Sequence, residues 1–107
     1  MAFNGSQQFR IPRPIVQPDS DNIETITGHK TLTDRSSTYQ LLDNTSGVTL
    51  DVILPSIVRG MSFWILNNGA SNNITVMEDS SIISTLTPGQ SCHVRGTSAG
   101  WKIIIKA

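Results

Sequence analysis

The sequence predicts an all-β protein, and three observations carry that expectation. Isoleucine outnumbers alanine 13 to 4, and glutamate occurs only at Glu24 and Glu78. β-Branched residues therefore displace the usual helix formers. Stretches of four to seven residues with apolar side chains at alternate positions recur between clusters of Gly, Pro, Asn, Asp and Ser, which is the pattern of short strands joined by turns. Finally, the apolar content is concentrated in Ile, Leu and Val, and 107 residues are enough for one domain.

The strands are expected in order. The first spans residues 24–33 and ends at the turn Asp34-Arg35-Ser36-Ser37. Residues 39–42 follow, then a turn over 43–47. In residues 48–54, Val48, Leu50, Val52 and Leu54 alternate with Thr49 and Asp51, the period of two of a half-buried strand, and Pro55 ends it. Residues 62–66 lead to Asn67-Asn68-Gly69-Ala70-Ser71-Asn72, whose Asn and Gly tolerate turn conformations. Residues 74–77, the turn Glu78-Asp79-Ser80-Ser81, residues 82–86, the β-turn Thr87-Pro88-Gly89-Gln90, residues 90–94, a turn over 96–100 and residues 101–105 complete eight strands. A single β-sandwich or jelly-roll-like domain over residues 23–107 is expected, with no internal repeat. The run Ile103-Ile104-Ile105 reads as a strand buried on both faces, or as an edge covered by a partner subunit.

Residues 1–22 differ. Pro12, Pro14 and Pro18 forbid a regular helix and push their neighbours toward extended conformations. Yet Phe3, Phe9, Ile11, Ile15 and Val16 are apolar, more than a solvated tail carries. The segment reads as an extended, proline-containing arm that docks on a neighbouring subunit or on its own domain, with Arg10 and Arg13 available to an acidic surface or to phosphates.

Charge narrows the function. Eight basic residues balance eight acidic ones, and only 15% of residues are charged, against ~25% in ordinary domains. Ser, Thr and Asn, with 13, 11 and 7 copies, supply neutral polar surface instead. A generally basic nucleic-acid binder is excluded, as is a self-repelling acidic chain. No secretory leader and no run of ~18 apolar residues stands out, so no membrane association is expected. The Asn-X-Ser/Thr matches at Asn44 and Asn73 are read as chance in so Asn- and Ser-rich a chain.

Catalytic constellations are absent from the pattern. The single cysteine, Cys92, reads as a small buried hydrophobe and permits no intrachain disulfide. Its neighbour His93 would point to the opposite face of a strand, so the two form no dyad. His29 reads as an ordinary strand residue. Two His and one Cys give no zinc spacing, and Asp19-Ser20-Asp21-Asn22 lacks the Gly and the terminal Glu of a calcium loop. No glycine-rich phosphate loop occurs. No enzyme, cofactor, metal or small-molecule substrate is therefore expected. Trp64, in a buried-looking strand, and Trp101, which could be exposed after its glycine turn, read as core packing, with a stacking platform as the alternative.

One resemblance adds to this reading. Thr31-Leu32-Thr33-Asp34, Tyr39-Gln40-Leu41-Leu42-Asp43, Leu54-Pro55, Arg59-Gly60 and Phe63-Trp64-Ile65-Leu66-Asn67-Asn68 stand in this order. They are followed by Asn73-Ile74-Thr75-Val76, Leu86-Thr87-Pro88-Gly89-Gln90-Ser91 and Gly100-Trp101-Lys102. Over about two-thirds of the chain, this series resembles a small β domain of tailed-bacteriophage virion proteins. A free-standing copy with an arm is similar to capsid decoration (cement) proteins. The resemblance implies a virion protein, assembled in the host cytoplasm, that binds the major capsid protein and itself, as a homotrimer matching a local three-fold axis. Phe3, Phe9, Arg10, Ile11, Arg13, Ile15 and Val16 would carry arm binding. The alternatives are a head- or tail-fibre module that recognises a host receptor or glycan, and a small trimeric nucleotide hydrolase.

Overall fold

A computed structural model describes Pro18, residues 20–56 and residues 60–107. The seven arm residues singled out above, and Arg59, lie outside the described residues. Among those described, the chain is all-β, with nine strands and no helix: β1 (Asp21–Ile26), β2 (Lys30–Thr31), β3 (Tyr39–Asn44), β4 (Leu50–Ile53), β5 (Ser62–Asn67), β6 (Ile74–Glu78), β7 (Ser81–Leu86), β8 (Ser91–Thr97) and β9 (Gly100–Lys106). The expected first strand is two short ones, because Thr27-Gly28-His29 interrupts it and carries the chain from one sheet to the other.

The strands form two mixed sheets, β1-β3-β5-β8-β9 and β2-β4-β6-β7. From β1 to β6 the chain alternates between them, so β1–β3, β3–β5, β2–β4 and β4–β6 pair in parallel. From β6 on it doubles back, and β6–β7, β5–β8 and β8–β9 are antiparallel. One core cluster takes residues from both sheets, including Leu42, Phe63, Ile65, Val94 and Trp101 from the first and Leu50, Val52, Ile74, Val76 and Leu86 from the second. The alternation expected for Leu50, Val52 and Leu54 is present, all three being buried. Val48 is 61% exposed instead, because the chain is still in the turn there.

The turns between the sheets are held by asparagines. Asn44, at the end of β3, donates from Nδ2 to Val48 O (2.8 Å) and Asn73 O (2.9 Å). Its Oδ1 accepts from the Ser46 amide and hydroxyl. Asn67, at the end of β5, repeats the arrangement: Nδ2 donates to Asn72 O (2.8 Å) and Leu86 O (2.9 Å), and Oδ1 accepts from Gly69 N (3.1 Å). Both side chains are buried. Each amide reaches one carbonyl of its own turn and one of the next layer, so it satisfies backbone groups that the sheet change would otherwise strand. Gly69 gives the Asp43 carboxylate room there, a Cβ lying 2.8 Å from Asp43 Oδ1.

Between β1 and β2 the interior is closed by polar side chains. Asn22 Nδ2 donates to Glu24 Oε1 (2.9 Å) and Gln40 Oε1 (2.8 Å), and Lys30 Nζ lies 2.8 Å from Glu24 Oε1. The Asn22 hydrogen bond, and then Lys30, hold the Glu24 carboxyl below its ordinary range.

Candidate interaction face

The pleat of the first sheet turns Gln40, Leu42, Phe63, Ile65, Cys92 and Val94 inward. The alternate residues stand on the outer face. Register sets them in two rows. Asp21, Tyr39, Trp64, His93 and Ile105 are successive cross-strand partners, and so are Ile23, Leu41, Leu66 and Ser91. The result is an apolar and aromatic belt across five strands, with Ile23 71%, Tyr39 40% and Ile105 50% exposed. Arg95 and Lys102, paired in the adjoining row, border it with positive charge. Asp21, Tyr39, Leu41, Trp64, Leu66 and Ser91 line a groove of about 520 Å³ on this face.

The centre of the belt is ordered. The Trp64 indole and His93 imidazole stack at 4.2 Å between centroids with 8° between planes. Burial under the indole, and then the nearby Arg95 charge, push the His93 pKa down and favour the neutral ring. Apolar rows of this kind on a rigid sheet mark interaction surfaces rather than ordinary exterior.

The two tryptophans divide the sequence expectation. Trp101 is core: it is 3% exposed, lies 5.8 Å from the Phe63 ring, and donates from Nε1 to Pro55 O (2.9 Å). This is the core packing expected of it. Trp64 sits on the open face of a strand whose other face is buried. The signal for this was the unbroken run Phe63-Trp64-Ile65-Leu66, which is apolar on both sides of the pleat. Of the two expectations for the run Ile103-Ile104-Ile105, burial on both faces fails and the edge position holds: β9 is a sheet edge and the three side chains are 40%, 51% and 50% exposed. A bulge between His93 and Val94 sets Ile103 and Ile105 on unlike positions of the pleat.

The remaining candidates are placed apart from this belt. Cys92 is buried and points inward, and burial pushes its thiol up to about 11, so the reactive thiolate is suppressed. His93 lies on the other face of β8, as expected for strand neighbours. His29 sits on the loop after β1, where Nδ1 accepts from Asp51 N (2.9 Å). Asn22 faces the Glu24–Gln40 network rather than Asp21. Among the described residues, no three of His, Cys, Asp and Glu converge as a metal site. No protein-family model matches the chain, nor does any curated protein or solved structure.

Proposed function

We propose that the protein is a structural component of a bacteriophage virion, a decoration protein that binds and stabilises the capsid. In this reading the two sheets are the β-sandwich body, three copies associate, and the amino-terminal arm contacts neighbours. The observation that supports it best is the apolar belt around Trp64 on the outer face of the first sheet. A contiguous apolar face of this kind marks an interaction site, and a near-neutral, charge-poor chain suits a densely packed shell. Repeated copies multiply modest contacts through effective concentration.

The test is co-sedimentation of the full chain with purified phage heads, followed by heating. Saturable binding at fixed stoichiometry, with heads that rupture at higher temperature, is expected. Heads that sediment without the protein refute the reading. A second reading, a fibre module that binds host glycans, is favoured by Tyr39 and Trp64 standing open on one face. It predicts a glycan-dependent change of Trp64 fluorescence in a variant carrying Trp101→Phe.

A further inference from the structure

We propose that β9 of one copy of this chain pairs in parallel with β1 of the next, so that the five-stranded sheet runs on from subunit to subunit. The proposal rests on the assembly reading above and names the contact by which copies hold one another. β1 and β9 are the two edges of that sheet, and among the described residues each has a strand on one side only. An edge strand offers a row of backbone donors and acceptors to any strand that fits it. Ile103, Ile104 and Ile105 are exposed along β9, and so is Ile23 on β1. The second sheet offers no such pair of edges, because its edge strand β2 is two residues long.

Charge selects the occupant. Lys102 and Lys106 flank the isoleucines of β9, and Asp21 and Glu24 flank Ile23 on β1. Two β9 edges meeting about a two-fold axis would run antiparallel and set Lys102 against Lys106. Two β1 edges would likewise set Asp21 against Glu24. Like charges directly opposite one another destabilise a strand pair, so neither edge suits a copy of itself. Each suits the other. β1, β3 and β5 run one way, β8 the other, and β9 returns to the direction of β1, so a neighbour added head to tail meets the edge in parallel. The faces agree as well. Asp21 and Ile23 stand on the outer face of β1, as Lys102 and Ile105 do on β9. Glu24 pairs with Leu42, and Lys106 with Cys92, both of which are buried inward. The bulge opposite His93 and Val94 makes Ile104 an extra residue, which drops out of the count. One register then places Lys102 beside Asp21, Ile105 beside Ile23 and Lys106 beside Glu24. Asp21 and Lys102 are both exposed, whereas Glu24 already holds Lys30 and Lys106 Nζ already donates to Thr85 O, so the outer pair carries the selection. Because the two edges differ, the contact repeats head to tail and, closed at three copies, gives the trimer.

The test mixes two full-length variants, one carrying Ile23→Cys and the other Ile105→Cys, and oxidises the mixture. Both positions are exposed, whereas Cys92 is buried. Mass spectrometry reads the joined peptides. Disulfides between the two variants, through positions 23 and 105, are expected to dominate over those within either. Lys102→Glu in the second variant should lower their yield several-fold while the melting curve stays in place, and Asp21→Lys in the first should restore it. Dimers that join like variants to the same extent, join through Cys92, or are absent altogether overturn the proposal, as does a yield indifferent to both charge changes. Crosslinks through 23 and 105 in a protein that leaves phage heads bare support the contact and count against the decoration reading alone.

Discussion

The first six strands and the last three are built on different rules. Up to β6 the chain changes sheet at every turn, and Asn44 and Asn67, both buried, hold the corners. After β6 the chain makes two hairpins, β6–β7 and β8–β9, with one last crossing between the sheets at Thr87–Gln90. At that crossing Gln90 N donates to Thr87 O (2.9 Å), and Asn67 serves again, its Nδ2 donating to Leu86 O (2.9 Å). In the β8–β9 hairpin the turn satisfies itself, Thr97 Oγ1 donating to Gly100 O (2.7 Å). A hairpin returns to its own ladder, so its carbonyls find partners locally. A crossing between sheets leaves carbonyls inside the protein, where water cannot replace a missing donor. The parallel half should therefore depend on a few side-chain amides, and the antiparallel half on backbone conformation.

The largest effect is expected where the halves meet. Phe63 is fully buried on β5 and packs against Trp101 on β9. Phe63→Ala should cost about 3–5 kcal/mol, read by urea denaturation; a cost similar to that of a surface substitution would mean that the halves are stable separately. Asn67→Ala removes the donors for Asn72 O, half-buried, and Leu86 O, buried, so a cost of about 2–4 kcal/mol is expected. Asn67→Asp should not rescue, because a carboxylate accepts only. A loss for Asn67→Ala no greater than for a hairpin turn would break the comparison. Gly89 has φ +85° and open space where a Cβ would go, so Gly89→Ala should cost only about 1 kcal/mol, from backbone strain alone.

The smallest effect sharpens the comparison through pH. The His93 pKa is lowered on folding from its ordinary 6.5, so the unfolded chain binds the proton more readily. Its contribution is fully present above pH 6.5 and falls away on acidification. Glu24 is lowered from 4.5, and its contribution is lost at still lower pH. His93→Gln should flatten the decline in unfolding free energy between pH 6.5 and 4.5 while leaving the Glu24 phase. An unchanged slope would show that the Trp64–His93 stack does not favour the neutral ring.

Much of the local structure was legible because it depends on near neighbours. Leu50, Val52 and Leu54 announce a buried face by alternating with polar residues, Pro55 ends their strand, and Thr87-Pro88-Gly89-Gln90 is a turn wherever it stands. Cys92 and His93 fall on opposite faces because strand geometry requires it. The asparagine corners were not legible as such, because Asn is also an ordinary turn residue. Only the approach of Asn73 and Leu86, distant in sequence, shows that these amides are structural. The interaction face was missed for the same reason: Tyr39, Trp64, His93 and Ile105 lie on four strands and become one row only through register.

The sequence by itself determined that this chain is β, where most of its turns fall, and that Cys92 is a core residue. Tertiary structure alone decided that six strands pair in parallel across two sheets, that Trp64 stands on the outer face, and which of the two readings of the β9 isoleucines holds. The physical reason is one of range. Side-chain alternation records which side of a strand is apolar. Which strand lies beside it, in what direction and in what register, is set by contacts between residues far apart in the chain.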